Sequence, residues 1–291
     1  MRTSKPYEQL ELPLVIGPPS FDVLPLLERI KAKWDEDFCF VESCVALLLI
    51  GSHSHGTYIP NTDPGGIDDI DLMAIVIPPK HRTYGLRRFQ HKVIKEGDLD
   101  CVVYAWDKYV SLLLKSNPNV LGTLWLEDFC YLRRTAPFIN LMLNRGLFLT
   151  KNIYAPFMGY ARAQLYKMTH NAHEGYMGEK RKKLVEKYGY DVKNAAHLIR
   201  LLRMGIEALR TGTIKVYRPD AHELISIKKG GWTLEKVQEN ARLGFEDAEV
   251  AKLNSWLRED PETEHIEELL LEGYAMHWHS LPRSEFNEWD S

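Results

Sequence analysis

Hydrophobic and polar positions change period along the chain. Leu24, Leu27 and Ile30 form a stripe at helical spacing behind Ser20, an N-cap residue type, and predict a helix over residues 21–34. The run CVALLLI at 44–50 is continuously apolar and stops at Gly51, which predicts a short buried strand. Residues 51–66 are rich in Gly, Ser, Thr, Asn and Pro, so a loop is expected there, opening on a tight turn or short helix. A second strand is expected over 67–77, closed by Pro78-Pro79, and a third over 98–106. After that the period becomes helical. Segments 107–114 and 120–126 flank the turn signal Ser116-Asn117-Pro118-Asn119, and amphipathic helices are predicted over 160–168, 178–188 and 192–210, the last ended by Thr211-Gly212. Two more helical patterns span 234–258 and 262–276. The expected architecture is α/β: a small mixed sheet flanked by helices in residues 1–150, then an α-helical domain in residues 151–291, joined near 145–155.

Composition changes this picture little. Of 291 residues 45% are hydrophobic and 26% charged, enough apolar material for an ordinary core. No apolar run reaches the ~18–20 residues that cross a bilayer, and Glu8 and Glu11 interrupt the N-terminal segment, so a cytosolic protein without a membrane partner is expected. Cys39, Cys44, Cys101 and Cys130 include no CxxC pair and each adjoins apolar residues, which predicts buried free thiols rather than a zinc site.

Charge is divided unevenly beneath a net −3. Residues 151–230 hold 16 Lys and Arg against 7 Asp and Glu, whereas residues 231–291 hold 5 against 15. The basic segment suits phosphate; the acidic tail suits a solvated helical face.

Candidate chemistry begins with Asp69 and Asp71. Residues two apart on a strand project to one face, so both carboxylates cluster at the start of the second strand. Asp98 and Asp100 open the third strand in the same way. Carboxylates from adjacent strand ends repel unless a cation sits among them, and oxygen-only ligands suit Mg²⁺ or Mn²⁺ bound together with phosphates. The competing reading makes these residues strand-edge solvators and turn formers. Gly51 would let the backbone approach a phosphate, to which the following N–H groups and the Ser52 hydroxyl can donate. On a helix over 192–210, Lys193, His197 and Arg200 fall within about 60° of each other, opposite Leu198, Leu201, Leu202 and Ile206. That stripe is either a clamp on a triphosphate or RNA backbone, or a solvated face. The run Lys180-Arg181-Lys182-Lys183 fits a solvated face better. His53 and His55 lack a third nitrogen or sulfur ligand, which favours a phosphate or base contact, or loop polarity, over zinc. Ser52 and Ser54 lack the Gly-x-Ser-x-Gly elbow of a hydrolase nucleophile.

Gly51-Ser52-His53-Ser54-His55-Gly56, followed by Asp69-Ile70-Asp71-Leu72, resembles the Gly-Ser…Asp-x-Asp signature of the DNA polymerase beta nucleotidyltransferase superfamily. More narrowly, the chain resembles a family of predicted nucleotidyltransferases of bacteria and phages with an RNA-repair-associated branch. The likeness continues in Asp100, Asn117-Pro118-Asn119, Gly159-Tyr160, Lys193, His197 and Arg200-Leu201-Leu202, covering residues 45–230. It implies a polymerase beta-like palm domain and two-metal nucleotidyl transfer with Mg²⁺ or Mn²⁺. Gly51 and Ser52 would hold the triphosphate, Asp69 and Asp71 would bind metal, and Asp100 would be the third carboxylate, activating the attacking hydroxyl. The loop between Gly56 and Asp69 is longer than the family's usual spacing, so Asp63 and Asp68 compete with the chosen pair, as Asp98 does with Asp100. Asp69 and Asp71 are preferred because they alone form an Asp-x-Asp running into the apolar strand. The expected substrates are a nucleoside triphosphate and an RNA (tRNA) end; a protein or small-molecule hydroxyl is the alternative acceptor. A catalytically idle module that binds nucleotide or RNA is a third reading, disfavoured by the intact carboxylates. Acceptor, base preference and oligomeric state stay open at this level.

Overall fold

The computed structural model describes residues 23–60, 69–169 and 179–281. Ser20, Asp63, Asp68 and the side chain of Lys180 lie outside the described residues. The chain begins with α1 (Val23–Ala32) and α2 (Phe40–Ser43), enters β1 (Cys44–Leu49), and turns through α3 (Gly51–Ser54). It continues through β2 (Ile70–Val76), α4 (Lys80–Thr83), β3 (His91–Glu96), β4 (Leu99–Ala105), α5 (Trp106–Leu114), α6 (Pro118–Leu121), β5 (Tyr131–Arg134) and α7 (Ala136–Leu143). The remainder is helical: α8 (Tyr154–Thr169), α9 (Glu179–Tyr188), α10 (Val192–Thr211), α11 (Ala221–Lys228), α12 (Leu234–Leu253) and α13 (Thr263–Ser280).

The architecture is α/β around a mixed five-stranded sheet in the order β3-β4-β2-β1-β5. β2 and β4 run parallel; every other pair is antiparallel. β1 is buried at every position, which is why its sequence reads as unbroken apolar rather than alternating. Alternate residues of the sheet feed two cores. One face packs Leu47, Leu49, Leu72 and Val103 under α1 through Val23, Leu26 and Ile30. The other packs Leu48, Met73 and Ile75 against Trp106, Tyr109 and Phe138, and that core continues without a break into α8, α10 and α12. The last helix returns to the sheet unit: the Trp106 indole donates to the Leu270 carbonyl (3.0 Å) and the Trp278 indole to that of Pro78 (3.3 Å).

The predicted strands at 44–50 and 98–106 and the described part of 67–77 form, with β3 and β5 added beside them. β3 was missed because HKVIKE is an edge strand with only Ile94 buried, so it carries no apolar period. The predicted helix at 192–210 is α10, opened by the Asp191 side chain accepting from the Lys193 and Asn194 amides and closed at Gly212 in a left-handed conformation. The 120–126 segment instead forms α6 and a 3₁₀ turn at Gly122–Trp125, α12 stops at Leu253, and α7 and α11 are additions. All four cysteines are free; Cys44, Cys101 and Cys130 are buried, but Cys39 is exposed, correcting that expectation. Among the described residues no helix is long and apolar enough to cross a membrane.

Candidate active site

Three strands meet at one end of the sheet. β1 ends there, and because β2 is antiparallel to β1 and parallel to β4, both later strands begin there. The register sets Asp71 directly beside Asp100 on neighbouring strands, which lie about 4.8 Å apart in any sheet. Asp71 shares its face with Met73 and Ile75, and Asp100 shares its face with Val102 and Tyr104. Both carboxylates therefore project on the side of the sheet that carries α8 and α10. Asp69 stands one residue before β2 and is exposed. Asp98 is engaged elsewhere, 2.8 Å from the Arg29 guanidinium on α1.

The turn out of β1 is built onto Asp71. The Ile50 amide donates to the Asp71 carbonyl (2.9 Å). Gly51 adopts φ +66°, and a Cβ there would stand 2.1 Å from Asp71 Oδ2. Only a residue without a side chain leaves the carboxylate its place. Opposite, Lys95 pairs in register with Asp100 and its ammonium lies 2.7 Å from Asp100 Oδ2. That hydrogen bond, then the charge of Asp100 and more weakly of Asp69 and Asp71, holds Lys95 above the ordinary lysine range. One cation thus senses all three predicted carboxylates. Sequence reasoning missed Lys95, whose only signal was the β3–β4 pairing.

Among the described residues no group of three or more His, Cys, Asp or Glu is arranged to hold a metal ion unaided. Mg²⁺ does not require one, since it commonly takes one or two carboxylates and fills its other positions with phosphate oxygens and water. The paired oxygen donors of Asp71 and Asp100 beside the bare Gly51 backbone fit such an ion.

Cations of the later helices gather near His55, just beyond the α3 turn. Lys193, His197 and Arg200 share one face of α10, as the spacing predicts, but this face is not openly solvated. His197 Nε2 is buried without a hydrogen-bond partner among the described residues, as is Ser52 Oγ. Among the described residues Arg200 donates only to the Met204 sulfur (3.2 Å). Its neighbours differ: Arg203 bonds Asp220 and Glu223 (both 2.5 Å), and Arg218 bonds Glu207 (2.6 Å) and Asp220 (2.9 Å). Burial, and then the charge of Arg218, lowers the pKa of Arg200. His55, just beyond α3, joins this group through Nδ1, 3.1 Å from the Val216 carbonyl. Lys228 of α11 donates to the Thr57 carbonyl (2.8 Å). His53 stacks on Tyr58 at 3.8 Å. The sequence leaves His55 open to a phosphate or base contact or to loop polarity, and Lys228 carries no sequence signal, because both reach the cluster through packing.

Other motif residues are structural. Asn117 caps α6 by accepting from the Asn119 amide and donates to the Tyr160 hydroxyl (3.3 Å). Lys182 pairs with Glu179 on the surface of α9.

Comparison with known proteins adds the family. The family model described as RNA repair pathway DNA polymerase beta family matches residues 36–272. Among curated proteins no match is found. Among solved structures, a nucleotidyltransferase-like protein from Exiguobacterium sibiricum 255-15 is similar at 13% identity and a TM-score of 0.27, over 82% of this chain and 69% of that one. With more than two thirds of its length matched, the chain belongs to the RNA repair pathway DNA polymerase beta family and is a nucleotidyltransferase of the polymerase beta superfamily.

Proposed function

We propose that the protein transfers a nucleotide from a nucleoside triphosphate to an acceptor hydroxyl, an RNA end in the first place, with release of pyrophosphate. The observation that carries this reading is the in-register pair Asp71 and Asp100, turned toward the side of the sheet on which Arg200 has no carboxylate partner among the described residues. Residues 1–150 supply the carboxylates and residues 151–291 most of the cations. Asp71 and Asp100, with Asp69 at the strand entrance, would hold Mg²⁺ or Mn²⁺, which when bound polarises the phosphate and lowers the acceptor hydroxyl pKa. Asp100 takes the proton of the acceptor hydroxyl. The acceptor oxygen forms a bond to the α-phosphorus, the bond from that phosphorus to the α–β bridging oxygen breaks, and pyrophosphate leaves. Gly51 keeps the Asp71 carboxylate in place and lets the backbone approach the triphosphate, while the Ser52 hydroxyl and the Lys193, His197 and Arg200 face receive its charge.

RNA is favoured over a protein or small-molecule acceptor by the basic balance of residues 151–230 and by the family's RNA-repair description. The test is incubation with each labelled nucleoside triphosphate and Mg²⁺ or Mn²⁺, together with pooled tRNA or pooled protein, read on a gel. Label should enter RNA with the wild type and vanish with Asp69→Asn/Asp71→Asn. Label appearing on protein alone would move the acceptor, and activity surviving in the double variant would remove these carboxylates from the site.

A further inference from the structure

Arg200 differs from the arginines around it. Its flanking arginines, Arg203 and Arg218, are each bound by two carboxylates, whereas among the described residues Arg200 meets only a thioether. His197 Nε2 and Ser52 Oγ are enclosed without partners among the described residues. An enclosed polar atom without a partner and a half-buried cation without a counter-charge are unfavourable unless a ligand supplies what is missing. An RNA backbone is gripped by exposed cations spread along its length, whereas the half-buried grouping of Arg200 with His55 and His197 suits a single concentrated anion. We propose that His55, His197 and Arg200 form a pocket for the terminal phosphoryl group of a nucleoside triphosphate, with His55 deciding between triphosphates and monophosphates. This deepens the proposed function and rests on it.

The histidine chemistry gives the pocket a signature. With Nδ1–H of His55 donating to the Val216 carbonyl, the neutral ring keeps Nε2 as an acceptor. The oxygens of a fully ionised terminal phosphate also only accept, so contact with that dianion requires a proton on Nε2. In the free protein both rings are held neutral, by burial first and by Arg200 second. The groups around His55 are Arg200 and His197 from α10 and Lys228 from α11. Those around His197 are Arg200 and Lys193 from α10, Arg181 from α9 and Lys167 from α8. All of them disfavour an imidazolium, and a bound dianion reverses that balance. Binding therefore takes up protons, and affinity rises as pH falls through neutrality.

The experiment is calorimetric titration of the full chain, without acceptor, using inorganic tripolyphosphate, ATP, AMP and a single-stranded RNA oligonucleotide. Each titration is run at about pH 6.5 and about pH 8, in two buffers of different ionisation enthalpy. Tripolyphosphate and ATP should bind with net proton uptake and more tightly at the lower pH. His55→Gln and His197→Gln should each weaken tripolyphosphate by about ten-fold or more, the range of a charge-assisted hydrogen bond, and reduce the uptake, with AMP and RNA unchanged. Thermal midpoints check that the variants fold; should His197→Gln fail to fold, His55→Gln and the wild-type proton count decide. Binding without proton uptake, or RNA affinity falling while tripolyphosphate affinity holds, overturns the pocket. A wild type that binds neither ATP nor tripolyphosphate overturns the proposed function as well, whereas binding indifferent to both histidine substitutions overturns the pocket alone.

Discussion

Gly51 presses its backbone against the carboxylate of Asp71 so closely that a Cβ at position 51 would stand 2.1 Å from Oδ2. The β1 turn and the β2 carboxylate are therefore one mechanical unit, and a methyl group at 51 must displace one of them. Gly51→Ala should cost about 1–2 kcal/mol of stability from the left-handed backbone alone. Transfer should fall by about 100-fold or more, because a displacement near 1 Å at a reacting centre has that effect. Urea unfolding and single-turnover rates measure the two separately. Full activity in Gly51→Ala would show that Asp71 does not need its present position.

Asp98 and Asp100 are two residues apart, Asp98 in the turn before β4 and Asp100 on the strand, and their partners separate them. Asp98 forms an exposed ion pair with Arg29, a type worth at most about 1 kcal/mol, whereas Asp100 stands beside Asp71. Asp98→Asn should leave transfer within about two-fold of wild type and stability within about 1 kcal/mol. Asp100→Asn should lower transfer by a factor of about 100 or more. Rates on the two variants decide it, and the reverse ranking would move the third carboxylate to Asp98.

Gly273 of α13 lies against Trp106, where a Cβ would come within 2.4 Å of the indole ring. Trp106 is fully buried, so the ring has no free space to take up. Gly273→Ala should destabilise the protein by about 1–3 kcal/mol through overpacking, partly offset by the better helix propensity of alanine. Chemical denaturation measures this, and an unchanged midpoint would mean that α13 can lift from α5 without loss.

His277, buried on α13 and hydrogen-bonded to the Ile77 backbone, has its pKa lowered to about 4 by burial first and by the charge of Arg133 second. A group whose folded pKa lies below its unfolded value near 6.5 favours the folded state fully above 6.5 and loses that contribution as pH falls toward 4. The loss across that window is about 3 kcal/mol by proton linkage. His277→Gln should flatten the pH dependence of unfolding over this range relative to wild type. Because His55 and His197 titrate with the same sign, the measurement is the difference between the two proteins. Parallel profiles would remove His277 as a source of acid sensitivity.

How far the site was legible depended on whether its determinants were local. The apolar runs at 44–50 and after Asp71 and Asp100 announce buried strands, and a period of two assigns each carboxylate to a face. Gly51-Ser52 at the end of the first run marks the turn. α10 was readable end to end, since its apolar stripe and its Gly212 terminator lie within its own sequence. Segment 120–126 was not, because Pro118 and Gly122 break it into two short turns that only packing holds together.

The sequence by itself determined the strands that carry the carboxylates and the helix α10, which carboxylates share a strand face, and which cations share a face of α10, because these follow from residue spacing along one element. Only the tertiary structure decided that Asp71 stands level with Asp100, that Lys95 rather than a distant residue faces them, and that Asp98 is claimed by Arg29. It also decided that His55 joins Arg200 and Lys228 across more than a hundred residues of chain. These relationships are set by strand order, register and helix docking. Such contacts form where burying two apolar faces together outweighs the entropy of closing the intervening loops, and that balance belongs to the whole fold rather than to any local pattern.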